Sequence, residues 1–138
     1  MNFDRPIFFD PGVLVSAAIR PQSVPALALE RALLHYEVCA SHATFAELQE
    51  VLSRSKFDRY ASPEMRQAFV DGLRQHLRMV EVLQLVSECS DPNDDKFLAL
   101  ALAVNAEMIV ASDPHLTQMH PWRAIPILPP AAFLVGAR

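Results

Sequence analysis

The amino-acid sequence predicts an α/β protein built on a mostly parallel sheet of about five strands, and three observations lead there. Short apolar runs bounded by turn residues recur along the chain, as buried strands do. Between them lie segments whose apolar residues fall at helical spacing, several opened by a Ser cap or a Pro. The two patterns alternate from end to end, and alternation implies parallel pairing through helical crossovers.

The elements follow in order. Residues 6–10 are an apolar run ending in an acid and read as the first strand. Pro11-Gly12 turns the chain, and 13–19 begins a helix. After the loop at 20–23, Ser23 is a plausible N-cap for a helix over 24–34. Residues 37–40 read as the second strand, and Ser41 or Thr44 caps a helix carrying Phe45, Leu48, Val51 and Leu52. Ser62 and Pro63 open a helix that reaches about Arg78. Residues 80–86 alternate loosely and read as the third strand. A polar turn at 90–94 leads to Asp95, which opens an apolar helix over 97–104. Residues 108–111 are the fourth strand and 125–128 a weaker fifth, with a last helix from Pro129-Pro130 through Leu134.

A length of 138 residues suits one domain, 1–138, and no internal repeat, linker or low-complexity tract divides it. Hydrophobic residues make up 51% and charged residues 20%, a globular composition. A formal net charge of −4 argues against strong non-specific attraction to nucleic acid, but leaves room for a local basic lip. Cys39 and Cys89 form no metal or redox motif and read as reduced, partly buried thiols of a cytoplasmic protein. The N-terminus carries no basic-then-apolar signal, and no apolar run approaches the ~18 residues of a membrane span.

The chemistry is carried by acids. Asp10 ends the first strand and Asp113 the fourth, and parallel sheets place their ligand sites outside the carboxyl ends of strands. Asp95 begins a helix, where a carboxylate meets a favourable dipole, and Glu47 projects from a helix. Each acid alone also has a structural reading. Asp10 and Asp113 suit turns or caps, Asp95 or its neighbour Asp94 suits a helix cap, and Glu47 with Glu50 suits a solvated helix face. Only together do the four point to one pocket.

Four segments, in order, resemble the PIN domain, and within it the PIN-family (VapC-like) toxins of bacterial toxin–antitoxin systems. They are Phe9-Asp-Pro-Gly-Val-Leu-Val-Ser-Ala17, Ala46-Glu-Leu-Gln-Glu-Val-Leu-Ser-Arg-Ser-Lys-Phe57, Asp91-Pro-Asn-Asp-Asp-Lys-Phe-Leu-Ala-Leu-Ala101 and Ile109-Val-Ala-Ser-Asp-Pro-His-Leu116. The resemblance implies a three-layer α/β/α sandwich and a metal-dependent ribonuclease. Its acids carry over as Asp10, Glu47, Asp95 and Asp113, with Asp94 competing for the third place. Asp10, Asp95 and Asp113 would hold Mg²⁺ or Mn²⁺, and Glu47 would orient or deprotonate water. An RNA substrate and a cognate antitoxin are implied as partners. Two departures stand out. Asp10-Pro11-Gly12 replaces the family's usual Asp-Thr-Asn, and a frequently acidic position after Asp113 is His115. They keep open a second reading, a PIN-fold binding or regulatory module without turnover.

Two carboxylates ~5 Å apart cost about 3 kcal/mol at an effective dielectric of 20, so an empty pocket should keep a proton. All-oxygen ligation suits a hard divalent cation. Arg54, Lys56 and Lys96, with Arg59, are candidate phosphate contacts at the rim, against the alternative of an ordinary solvated surface. His42, His115 and Trp122 read more readily as structural than as ligand or base-stacking residues. Apolar Phe57, Phe69 and Leu73 suit either a homodimer face or the core. A receiver-like phosphoacceptor reading, which needs an acidic pair near the first strand and a lysine after a late strand, ranks below these, since no lysine follows Lys96.

Overall fold

The computed structural model describes residues 5–136; the ends of the expected 1–138 domain, 1–4 and 137–138, lie outside them. The first strand, β1 (Pro6–Phe9), runs into α1 (Pro11–Ile19), followed by α2 (Val24–His35), β2 (Glu37–Ser41) and α3 (His42–Leu52). Then come α4 (Pro63–Arg74), β3 (Arg78–Val80), α5 (Asp95–Ala103), β4 (Met108–Val110), α6 (Pro114–Thr117), β5 (Ile127–Leu128) and α7 (Pro130–Gly136). The sheet has five strands in the order β3-β2-β1-β4-β5, and every pairing is parallel.

Strand parity builds the three layers. Successive strand residues point to opposite faces. Ile7, Phe9, Val38, Ala40 and Val110 therefore face one core with α1, α2, α3, α4 and α7. Phe8, Cys39, Ile109 and Ala111 face the other, with Phe97, Leu98, Leu100 and Ala101 of α5 and with Trp122 and Ile125. Strands buried on both faces carry unbroken apolar runs, as 6–9 and 108–111 do.

The helix starts are chemically explicit. The Ser23 hydroxyl accepts from Ala26 N at 3.3 Å, and that of Ser62 from Met65 N at 3.2 Å. Ser41 and Thr44, alternative caps by sequence, act together: Thr44 N donates to Ser41 Oγ at 3.1 Å and Ser41 N to Thr44 Oγ1 at 2.9 Å. Pro11 occupies the first position of α1, where an N–H would lack a helical partner in any case.

The third strand differs from the sequence expectation. Helix α4 stops at Arg74, and β3 covers 78–80 by pairing Arg78, Met79 and Val80 with Cys39, Ala40 and Ser41. That long-range partner is invisible to local periodicity. Beyond Val80 no further ladder is available. The alternation persists without strand bonding: Val82 and Val86 pack on the second core while Leu83 and Leu85 are 84% and 99% exposed. Phe57 and Phe69 pack against the first core and Leu73 is inside it, so these side chains form no outer face. No single helix among the described residues is long and apolar enough to cross a membrane.

Leu100 is fully buried, and Leu100→Ala should cost about 3 kcal/mol in chemical denaturation. Gly12 has ordinary helical backbone, and a Cβ there would lie 3.5 Å from Asp10 Oδ1 and 3.6 Å from Ser112 Oγ, normal contact distances. Gly12→Ala should therefore fold as well as the parent or better, gaining up to about 1 kcal/mol in the same assay.

Candidate functional site

At the carboxyl end of β1 the chain delivers Asp10, which caps α1. Its Oδ1 accepts from Val13 N at 2.8 Å. Its Oδ2 accepts from Ser112 N at 3.1 Å and Asp113 N at 3.3 Å, just past the end of β4. The side chain is 2% exposed. Burial pushes its carboxyl above the usual range; the three amides oppose that shift and the Asp113 charge adds to it. Asp10 is thus oriented by backbone amides, and Pro11-Gly12 removes none of them.

Asp113 caps α6, its Oδ1 accepting from His115 N at 2.9 Å. Asp94 sits at the start of α5 without making a capping hydrogen bond. Its carboxyl is buried, and Oδ2 has no hydrogen-bond partner. Burial, then the adjoining Asp113 carboxyl with its hydrogen bond and charge, then Asp91 and Glu47, push Asp94 up to about 7. Glu47 reaches in from α3, with Oε1 2.6 Å from Lys96 Nζ. Lys96 also donates to Asn93 O at 2.7 Å.

Asp10, Glu47, Asp94 and Asp113 line one open crevice of ≈ 300 Å³, walled also by Pro11, Gly12, Phe97, Ser112 and Pro114. It stands where the chain order reverses about β1 and β4, the switch point at which open α/β sheets hold ligands. The structure does not bring Asp95 there. Asp95 Oδ1 accepts from Glu88 N at 3.0 Å and Cys89 N at 2.8 Å, and the residue lines a separate cleft. Adjacent helical residues project about 100° apart, so only one of the pair can face the crevice, and it is Asp94.

The other candidates are elsewhere. Arg54 pairs with Glu50 at 2.8 Å on the exposed side of α3, and Lys56 lies 5.2 Å from the Phe57 ring. Neither lines the crevice. The ring of His115 contacts Ser90 Oγ at 2.9 Å. Trp122 is buried in the second core and donates to Glu88 at 3.1 Å. Sequence reasoning missed two features: the amides of Ser112 and Asp113 that anchor Asp10, and the Lys96–Glu47 pair. The adjacency of Lys96 to the acids was visible; its partner on a distant helix was not.

The donor set fits a hard divalent cation in chemistry. It is all oxygen, and it includes a buried carboxylate oxygen with no partner. Among the described residues no three Asp, Glu, His or Cys side chains close around one cation position. The Asp94–Asp113 contact and the Glu47–Lys96 pair hold these carboxylates in arrangements of their own.

Residues 6–115 match the sequence profile of the PIN domain. Among solved structures, a chain of VapBC2 from Rickettsia felis, bound to a DNA fragment from their promoter, superimposes with a TM-score of 0.60. That match has 16% identity and covers 88% of this chain and 96% of the other. VapC20 from Mycobacterium tuberculosis, a sarcin–ricin loop cleaving toxin, superimposes with a TM-score of 0.53 at 14% identity, over 78% of this chain and 89% of that one. No curated protein matches the sequence. At such identities the structural likenesses show a common fold, and the profile match spans well over half the chain. This protein therefore belongs to the PIN-domain family.

Proposed function

We propose that this chain is a metal-dependent endoribonuclease of the PIN type and the toxin of a toxin–antitoxin pair. The observation that carries the reading is the gathering of Asp10, Glu47, Asp94 and Asp113 in one crevice at the carboxyl ends of β1 and β4. We assign Asp94, in place of Asp95, to the third acid position. Asp10, Asp94 and Asp113 would hold Mg²⁺ or Mn²⁺. When bound, the ion supplies charge neutralisation for the phosphodiester and makes a water acidic enough to attack at neutral pH.

The protein's own part is positional. Asp10 is pinned by its amides and sets the floor. Glu47, at the rim, takes the proton of the attacking water as the new P–O bond forms and the bond to the leaving ribose oxygen breaks; that oxygen leaves with a proton from solvent. No side-chain nucleophile is required. Lys96, paired with the crevice residue Glu47, is the cation from which a phosphate contact at the rim would be drawn, while Arg54 and Lys56, which do not line the crevice, would meet only RNA extending beyond it.

The partner proposal rests on surface chemistry. Beside the crevice, across Lys96, lies an apolar cleft of ≈ 440 Å³ whose walls include Val80, Val82, Leu85, Val86 and Ala99. An antitoxin segment that places apolar side chains there and a basic one over the acids would block both. A homodimer would use the exposed apolar side chains Val24, Leu27 and Leu34 of α2. The pairing of Glu47 with Lys96 favours the second reading, a PIN-fold binding module without turnover.

Cleavage of single-stranded RNA with Mn²⁺ separates these readings. Asp94→Asn and Asp113→Asn should each lower the rate about 100-fold or more, with circular dichroism unchanged. Asp95→Asn should retain most activity. Equal loss in the Asp95 and Asp94 variants would reject the assignment of Asp94, and a parent that neither binds Mn²⁺ nor cleaves would leave the binding module.

The raised Asp94 pKa also predicts a pH dependence. An unfolded Asp titrates near ~3.9. The folded protein, with Asp94 at about 7, therefore binds more protons than the unfolded chain between those values. The contribution of this group to stability is complete below ~4 and is lost as pH rises through about 7. Asp94→Asn keeps the neutral shape and removes that loss. Its Tm should exceed the parent's at pH 8, with a smaller difference at pH 5. The parent's Mn²⁺ affinity should rise over the same interval, because the ion must displace the proton.

A further inference from the structure

We propose that Lys96 is a built-in counter-ion for Glu47, and that divalent-metal loading exchanges this ammonium out and frees it for an RNA phosphate. The inference rests on the metal-dependent reading of the crevice and adds a positioning residue to it.

Lys96 Nζ lies 2.6 Å from Glu47 Oε1 and 2.7 Å from Asn93 O, while Asn93 directly precedes Asp94. One ammonium therefore ties α3 to the turn that delivers the third acid. The pair is partly sheltered, with side chains 29% and 32% exposed. It lies on the partition between two spaces, for Glu47 lines the acidic crevice and Lys96 lines the apolar cleft. Without a metal, four carboxylates at close quarters need compensation, and Lys96 is the cation paired with one of them. A single positive charge on a flexible stem neutralises Glu47 at no cost in fixed geometry.

While Glu47 Oε1 holds Lys96, part of that carboxylate's charge is spent on the ammonium and not on the crevice it lines. A divalent ion attracts a carboxylate more strongly than an ammonium does, through its double charge. With such an ion in the crevice, the Glu47 carboxylate would turn inward and Lys96 would be left without its acid partner, at the rim. An RNA phosphate is the natural replacement there, as a second anion beside a released point charge. Lys96 would thereby be ready for a phosphate once Glu47 has turned away, so that metal would bind first and RNA second.

The test is a double-mutant cycle on Mn²⁺ affinity, measured by titration calorimetry at fixed pH and ionic strength. Lys96→Met should tighten Mn²⁺ binding about fivefold, since the competitor for Glu47 is gone. Lys96→Arg, which retains the pair, should stay near the parent. In a Glu47→Gln background Lys96→Met should change the affinity less than about twofold, because no ion pair remains to break. A general electrostatic or structural effect of Lys96 would give the same change in both backgrounds and would overturn the proposal. So would an unchanged or weakened affinity in Lys96→Met. Failure of the underlying reading looks different: the parent itself would show no heat of Mn²⁺ binding. Circular dichroism of each variant excludes misfolding, and Lys96→Gln serves if the Met variant precipitates.

Discussion

The carboxylate of Asp10 joins the parts of this molecule that have to be in register. It closes the first turn of α1 through Val13 N and receives the amides of Ser112 and Asp113 from beyond β4. A charge this deeply buried is costly unless the surroundings supply donors. Here the donors are backbone groups already fixed by a helix start and a strand end. The hydrogen bonds that make the burial tolerable therefore also hold the carboxyl ends of the adjacent strands β1 and β4 together, and with them Asp113, beside Asp94.

Around that anchor the remaining acids are under electrostatic tension. Asp94 keeps a proton close to neutrality because burial and Asp113 oppose its ionisation. Glu47 is held by Lys96. Under the proposed metal-dependent reading, relief of such mutual repulsion would be part of the energy of binding a divalent ion. Among the described residues no closed cation position exists: Glu47 is held by Lys96 and Asp10 by backbone amides, while one oxygen of Asp94 is left without a partner.

Much of this was legible in the sequence. The strands that are buried on both faces announced themselves as apolar runs, and the caps at Ser23, Ser41 and Ser62 were read correctly because their chemistry is local. Asp10 and Asp113 were assigned to the crevice because strand ends in parallel sheets point one way. Local reasoning failed where the deciding contact was distant. The third strand shifted to Arg78–Val80 because its partner, β2, lies far back in the chain. Asp95 and Asp94 both precede the same apolar helix, so the sequence does not separate them; in the structure Asp94 lines the crevice, while Asp95 is taken up by the Glu88 and Cys89 amides. From sequence alone the Pro11-Gly12 departure deprives Asp10 of orienting groups, because the sequence does not show that Asp10 is held by the amides of Val13 and of Ser112 and Asp113 beyond β4.

That last point bears on how this family drifts. An acid that caps a helix and ties two strands is retained by selection for folding alone, whatever becomes of catalysis. Asp94, which is buried, unpaired through one oxygen and unused as a cap, has no such protection. A descendant that abandoned nuclease chemistry would be expected to keep Asp10 and replace Asp94 with something neutral. In comparing relatives, persistence at position 10 is therefore a marker of architecture, and, under the proposed assignment, the residue at position 94 is the better gauge of whether the chemistry is still maintained.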